Sequence, residues 1–147
     1  MAGTTEGTAR AALVRERAEE MGAFSISDLA SALMKEGLWG NTAHVPEDFF
    51  RLGFAGARKY VKDTLKRERM LNGAHSWVAL SSDQDAVWQR WLTCTRREAR
   101  SALTVLLEAA NSSKLEFKKL KALHEERFHE AVKVTGPSGT QMVMFVR

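Results

Sequence analysis

From Phe54 to Arg69 the chain has little choice but to form a helix with one apolar and one cationic side, and this stretch constrains the rest. Phe54, Ala57, Val61 and Leu65 recur at spacings of three and four, which draws a single apolar stripe along a helix. The opposite side carries Arg58, Lys62, Lys66 and Arg69, with Lys59 and Arg67 flanking and Arg51 just upstream. Asp63 and Glu68 are the only acids inside it. The net charge of +4 is concentrated here: residues 1–50 hold 4 Lys/Arg against 8 Asp/Glu, residues 51–81 hold 7 against 2, and residues 82–147 hold 11 against 8. A local basic field attracts polyanions, of which nucleic acid is the commonest. The competing reading is structural: a first helix bearing Glu16, Glu19 and Glu20 can pack alongside and neutralise the cations.

An apolar stripe needs a core to lie on, and the flanking sequence supplies one. The start, "MAGTTEG", has no period and is expected to be unstructured. From Thr8 the positions Ala12, Leu13, Ala18 and Met21 suit a helix closed by Gly22, where glycine takes the left-handed cap conformation. After "AFSI", Ser27 caps a second helix whose Leu29, Ala30, Leu33 and Met34 share a face and which Gly37 stops. "LWGNTAHV" reads as a loop, and Pro46 with Glu47 and Asp48 opens a short helical piece whose Phe49, Phe50 and Leu52 plug the core. Beyond the basic helix, Asn72-Gly73 suits a tight turn and "SWVAL" a strand.

In this order of elements ("ALVRERAEEMG", "SISDLASALMKEG", "FAGARKYVKDTLKRERM", then "LNGAHSWVAL" as the wing) residues 8–81 resemble the winged helix-turn-helix domain. The resemblance implies a mainly α fold with short β-hairpins and a third helix that enters the major groove of double-stranded DNA. Arg58 and Lys59, near the start of that helix, would then meet base edges, since Arg or Lys can donate to guanine O6 and N7. Lys62, Lys66, Arg67 and Arg69 would mainly hold phosphates, Arg51 would join the DNA-binding set, and Asn72, His75 and Ser76 would add a supporting contact from the wing.

Residues 82–147 read as a second part that dimerises the protein or binds a partner, or that packs within the same chain and shares one core with residues 8–81. "SSDQD" offers Ser82 and Asp85 as a capping box for a long helix to about Ala110, with Trp88, Leu92, Thr95, Ala99, Ala102, Leu106 and Ala109 as its seam. Ser113 and Glu116 open another helix with Phe117, Leu120, His124 and Phe128 on one face. "VKVTGPSGTQMVMFVR" is a hairpin bent at "GPSG" whose return strand is apolar on both faces and wants cover on both.

Catalytic arrangements are not evident. His124 and His129 stand five apart, about 140° round a helix, where a zincin pair needs four. Glu116 and Lys118 have the spacing of some nuclease motifs but lie in a helical pattern. No phosphate loop or nucleophile elbow occurs. Cys94 is alone, which excludes an internal disulfide and favours a buried, inert thiol. Of the four tryptophans, Trp39 and Trp77 are the candidates for exposure. No run of about 18 apolar residues exists, and the acidic N-terminal segment lacks a secretory apolar region. The expectation is a non-catalytic, intracellular DNA-binding protein, cytoplasmic if bacterial or viral, without cofactor, metal or membrane contact. An interaction module or adaptor on the same scaffold is the alternative.

Overall fold

The computed structural model describes residues 2–35, 47–109, 113–137 and 141–147; the side chains of residues 2–9, 47–52 and 113 are not described. The fold is mixed α and β, in the order α1 (Ala2–Met21), β1 (Ala23–Ser25), α2 (Ile26–Lys35), α3 (Glu47–Arg67), β2 (Trp77–Ala79), β3 (Val87–Arg90), α4 (Arg96–Glu108), α5 (Ser113–Phe128), β4 (Ala131–Thr135) and β5 (Met142–Val146). Two compact units divide the chain, residues 1–68 and 69–147. The tight turn and β2 therefore belong to the second unit. Among the described residues no helix is long and apolar enough to cross a membrane.

In the first unit α1, α2 and α3 pack on one another. Val14 and Ala18 of α1, Leu29, Ala30 and Leu33 of α2, and Ala57, Val61 and Leu65 of α3 are wholly buried. α1 starts at Ala2, not Thr8, because extending a formed helix costs far less than nucleating one. Its buried row is set by Val14 and Ala18, while Ala12 and Met21 stay exposed. Gly22 closes it at φ 73°, its N–H donating to Ala18 O at 2.9 Å. The cap of α2 is Ser25, whose Oγ accepts from Asp28 N at 3.0 Å; Ser27 already lies inside the helix. Met34 is 39% exposed and sits at the edge of its face.

α3 is two helical pieces joined at Gly53, whose φ of 51° and ψ of −123° are a conformation glycine takes without steric penalty. Phe54, the first residue after the kink, is 42% exposed and stands outside the buried row, while Thr64 joins that row, buried and donating to Tyr60 O at 2.8 Å. Residues 47–52 are helical as expected, but the expected plugging by Phe49, Phe50 and Leu52 concerns side chains outside the description, as does that of Arg51. The loop at 38–45, the stop at Gly37, Trp39 and Pro46 also lie outside the described residues.

The second unit departs furthest from expectation. Residues 87–90 are a strand, not the start of a long helix, and β3 pairs antiparallel with β2, Val78 opposite Gln89. The supposed seam had counted alanine and threonine as apolar, whereas "VWQRW" is aromatic and β-branched, the composition of a strand. Thr95 begins α4 instead: its side chain accepts from Glu98 N at 3.2 Å and its own N–H donates to Glu98 Oε1 at 2.8 Å, a reciprocal capping box. Ser82 instead donates to Glu108 Oε2 at 2.8 Å. A core of Val78, Trp91, Cys94, Ala99, Leu103, Phe117, Leu120 and Val132 fills the unit. Trp77 is buried, 1% exposed, and carries the Arg90 guanidinium over its ring at 4.6 Å. β4 and β5 form the expected antiparallel hairpin, with Val132 opposite Phe145 and Lys133 opposite Met144.

Candidate nucleic-acid interface

Each cation of the α3 stripe follows a buried residue by one position: Ala57 then Arg58, Val61 then Lys62, Leu65 then Lys66. A helix turns about 100° per residue, so the cationic row flanks the buried row instead of standing diametrically opposite it. Arg58 is half-buried, while Lys59, Lys62, Lys66 and Arg67 are exposed. The flanking position has an electrostatic signature. Lys62 has its pKa lowered, first by partial burial, then by the charges of Lys66 and Arg58, with only Asp63 acting the other way. Three cations at i, i+4 and i+8 thus share one edge of the helix and crowd one another.

The other sequence candidates are occupied within the second unit. Arg69 Nη1 lies 2.6 Å from Glu116 Oε1 and donates also to Gly73 O at 3.1 Å. Asn72 Nδ2 donates to Lys119 O at 3.0 Å, and its Oδ1 accepts from Ala74 N at 3.0 Å. His75 N donates to Glu116 Oε2 at 3.3 Å. These groups hold the Asn72-Gly73 turn, where Gly73 has φ 87°, against α5. Glu116 thus accepts from both arms of the turn, from the Arg69 side chain and from the His75 backbone N–H. The turn is as tight as expected: Met70 N donates to Ala74 O at 2.8 Å and Gly73 N to Met70 O at 2.9 Å. The loop between the paired strands β2 and β3 carries Asp83 and Asp85.

The polar constellation that sequence inspection missed is buried in the second unit. Glu130 takes a two-pronged contact from Arg100, Nε to Oε1 at 2.9 Å and Nη2 to Oε2, while Oε1 also lies 2.7 Å from His124 Nε2. The hydrogen bonds from Arg100, then from His124, hold the Glu130 carboxyl well below the usual carboxylate range against the opposing effect of burial. The ring of His124 is wholly buried between Phe128 at 4.9 Å and Phe145 at 5.4 Å, and among the described residues its Nδ1 has no hydrogen-bond partner. Its sequence signal was an acid, Glu130, wedged between a helix end and an apolar strand, where His129 takes φ 53° to turn the chain.

Among the described residues, His124 bonds to Glu130, which Arg100 also holds, and its ring sits between those of Phe128 and Phe145. Cys94 is buried elsewhere in that core, its thiol pushed up to about 11 by burial, then by Glu98, with Arg127 opposing. Arg127 itself donates to Trp91 O and Cys94 O, both at 2.8 Å, tying α5 to the segment before α4. An open cleft of about 420 Å³ beside α4 exposes Arg97 and Arg100, but its Ser101 and Thr104 hydroxyls donate to carbonyls of their own helix. Among the described residues no group of three or more His, Cys, Asp or Glu side chains is placed to hold a metal. No family model matches the chain, and neither the curated proteins nor the solved structures contain a match to it.

Proposed function

We propose that this is a non-catalytic double-stranded DNA-binding protein, a transcriptional regulator of winged helix-turn-helix type, that lays the basic edge of α3 in the major groove. The observation that carries the proposal is the crowding of Arg58, Lys62 and Lys66 along one edge of α3, where partial burial first, and then the charges of Lys66 and Arg58, lower the pKa of Lys62. A row of phosphates relieves that repulsion, and neutralising phosphates releases counterions. The element order, three helices followed by an antiparallel strand pair, supports the winged-helix part of the reading. In this scheme Arg58 and Lys59 meet base edges, and Lys62, Lys66 and Arg67 hold the backbone. Arg69, Asn72 and His75 are left out of the contact set because their polar atoms serve the turn on α5.

A shift assay with duplex DNA, single-stranded DNA and RNA at two salt concentrations tests this. Duplex should be preferred, and the variant with Arg58, Lys59, Lys62 and Lys66 all changed to Ala should lose binding while remaining folded. Equal binding by that variant overturns the role of α3. A second reading, an interaction module or adaptor without nucleic-acid contact, draws on the exposed Met142, Met144 and Val146 of β5, and it gains if no nucleic acid is retained.

A further inference from the structure

Among the described residues β5 has a strand neighbour on one side only, β4. The inner row of β5, Val143 and Phe145, packs against the core of the second unit, where Phe145 lies under the Arg100 guanidinium at 4.9 Å. The outer row is uncovered: Met142, Met144 and Val146 are 69%, 48% and 41% exposed. Soluble proteins usually blunt a sheet edge with Lys, Pro or a bulge, because unpaired N–H and C=O groups template another strand. β4 follows that rule, with an exposed Lys133 at its centre. β5 does not. Residues 142–146 hold no charge and no proline, and five consecutive pairs with β4 run without a bulge.

We propose that β5 is a dimerisation edge that pairs antiparallel with β5 of a second copy about a two-fold axis at Met144. The strand's own sequence argues for that occupant. In this register Met144 faces its symmetry mate, Met142 faces Val146 of the partner subunit, and Val143 faces Phe145 of the partner subunit. Arg147 falls opposite Gln141 of the partner subunit, so no like charges meet across the axis. The patch is thereby self-complementary, as a two-fold interface must be. Both exposed apolar rows become one, and β4 with its lysine becomes the outer edge of a four-stranded sheet. Five paired residues bury less than the roughly 800 Å² per partner typical of stable complexes, so the dimer is weak and concentration-dependent. The inference rests on the hairpin alone and stands or falls separately from the nucleic-acid reading.

The test uses the full chain. Sedimentation equilibrium over about a hundredfold range of concentration should show reversible dimerisation. Met144→Cys places two thiols at the axis, where antiparallel Cα–Cα distances of about 4.5–5.5 Å suit a disulfide. Mild oxidation should cross-link this variant at least about tenfold faster than Met142→Cys, whose mate in the register is Val146. The buried Cys94 stays silent as an internal control. Met144→Lys should be monomeric throughout, with an unchanged circular dichroism spectrum. A wild-type chain that is monomeric at every concentration, cross-linking equal at 142 and 144, or a Met144→Lys chain that still dimerises would each overturn the proposal. The cysteine pair decides the matter even where the lysine variant fails to fold.

Discussion

The two units set the same cationic residue types among different neighbours. On α3, Lys62 stands beside Arg58 and Lys66, and its pKa is lowered by burial and by those like charges. In the second unit Arg100 stands beside Glu130, and its pKa is raised, chiefly by their hydrogen bond. Arg69 is likewise clamped to Glu116, and Arg127 to two backbone carbonyls. A cation whose neighbours favour its charge contributes to the fold. On α3, by contrast, Arg58, Lys62 and Lys66 share one edge of the helix, where only Asp63 acts to raise the pKa of Lys62. The charge counts alone, 10 basic residues against 10 acidic in residues 1–68 and 12 against 8 in residues 69–147, hide how differently the cations are surrounded.

The strongest way to break this contrast is Glu130→Gln. It keeps the shape but leaves the Arg100 fork and buried His124 without their charged acceptor. Breaking a buried pair costs about 3–5 kcal/mol, and since the Arg100 side chain is 37% exposed the expected loss is near the lower end. Urea denaturation measures it. The pH dependence has a definite sign. Glu130 has a folded-state pKa below its unfolded value of about 4.3, so its contribution is complete above that value and is lost as pH falls through the depressed one. Wild-type stability should therefore decline from about pH 5 downward, and the Gln variant should decline less over the same window. Equal slopes would mean that Glu130 is not the charged acceptor described.

A smaller effect is expected at the turn. Glu116→Ala removes the acceptor of both Arg69 and the His75 N–H, on a carboxylate only 15% exposed. A charge-assisted hydrogen bond is worth about 1.5–3 kcal/mol, and partial exposure of Arg69 places the loss near the lower figure. Arg69→Ala should cost folding less than Glu116→Ala, because it leaves the His75 bond in place. If the Arg69 variant folds normally yet loses duplex DNA as completely as the α3 variants, Arg69 belongs to the interface after all.

Local chemistry was legible in the sequence, and long-range partners were not. Gly22 as a helix stop, the Asn72-Gly73 turn, the Ala57, Val61 and Leu65 row and the β4–β5 hairpin each follow from residues a few positions apart. The Arg69–Glu116 pair spans 47 positions, and Arg100–Glu130 spans 30. Nothing local marks Arg69 as clamped and Lys66 as crowded. The misread helix over 82–95 had a different cause: a seam containing Thr95 and several alanines fits a helix weakly, and the strand signal of Val87, Trp88 and Trp91 outweighs it once β2 is there to pair. Phe54 keeps the helical spacing of the Ala57, Val61 and Leu65 row, but spacing does not show where a buried row ends, and next to the Gly53 kink Phe54 is exposed.

The smallest stability effect is also the one that most sharpens the comparison. Lys62→Met keeps the apolar stem and removes the charge, so any packing along the Val61 side of α3 is retained. Because the folded-state pKa of Lys62 is lowered, its charged form is disfavoured by folding, and stability should rise as pH climbs through that lowered value. The neutral methionine should therefore fold within about 0.5 kcal/mol of wild type, with any change tending towards greater stability. DNA binding should move the other way: affinity falls on every duplex alike, and the slope of log affinity against log salt shrinks by about 0.9 for one lost phosphate contact. Arg58→Ala separates base reading from phosphate holding, since it should cost about 1–3 kcal/mol on the preferred site and little elsewhere. A clear loss of stability in Lys62→Met, measured by thermal melting, would mean that Lys62 is part of the scaffold like Arg100, and the distinction between the two units would collapse.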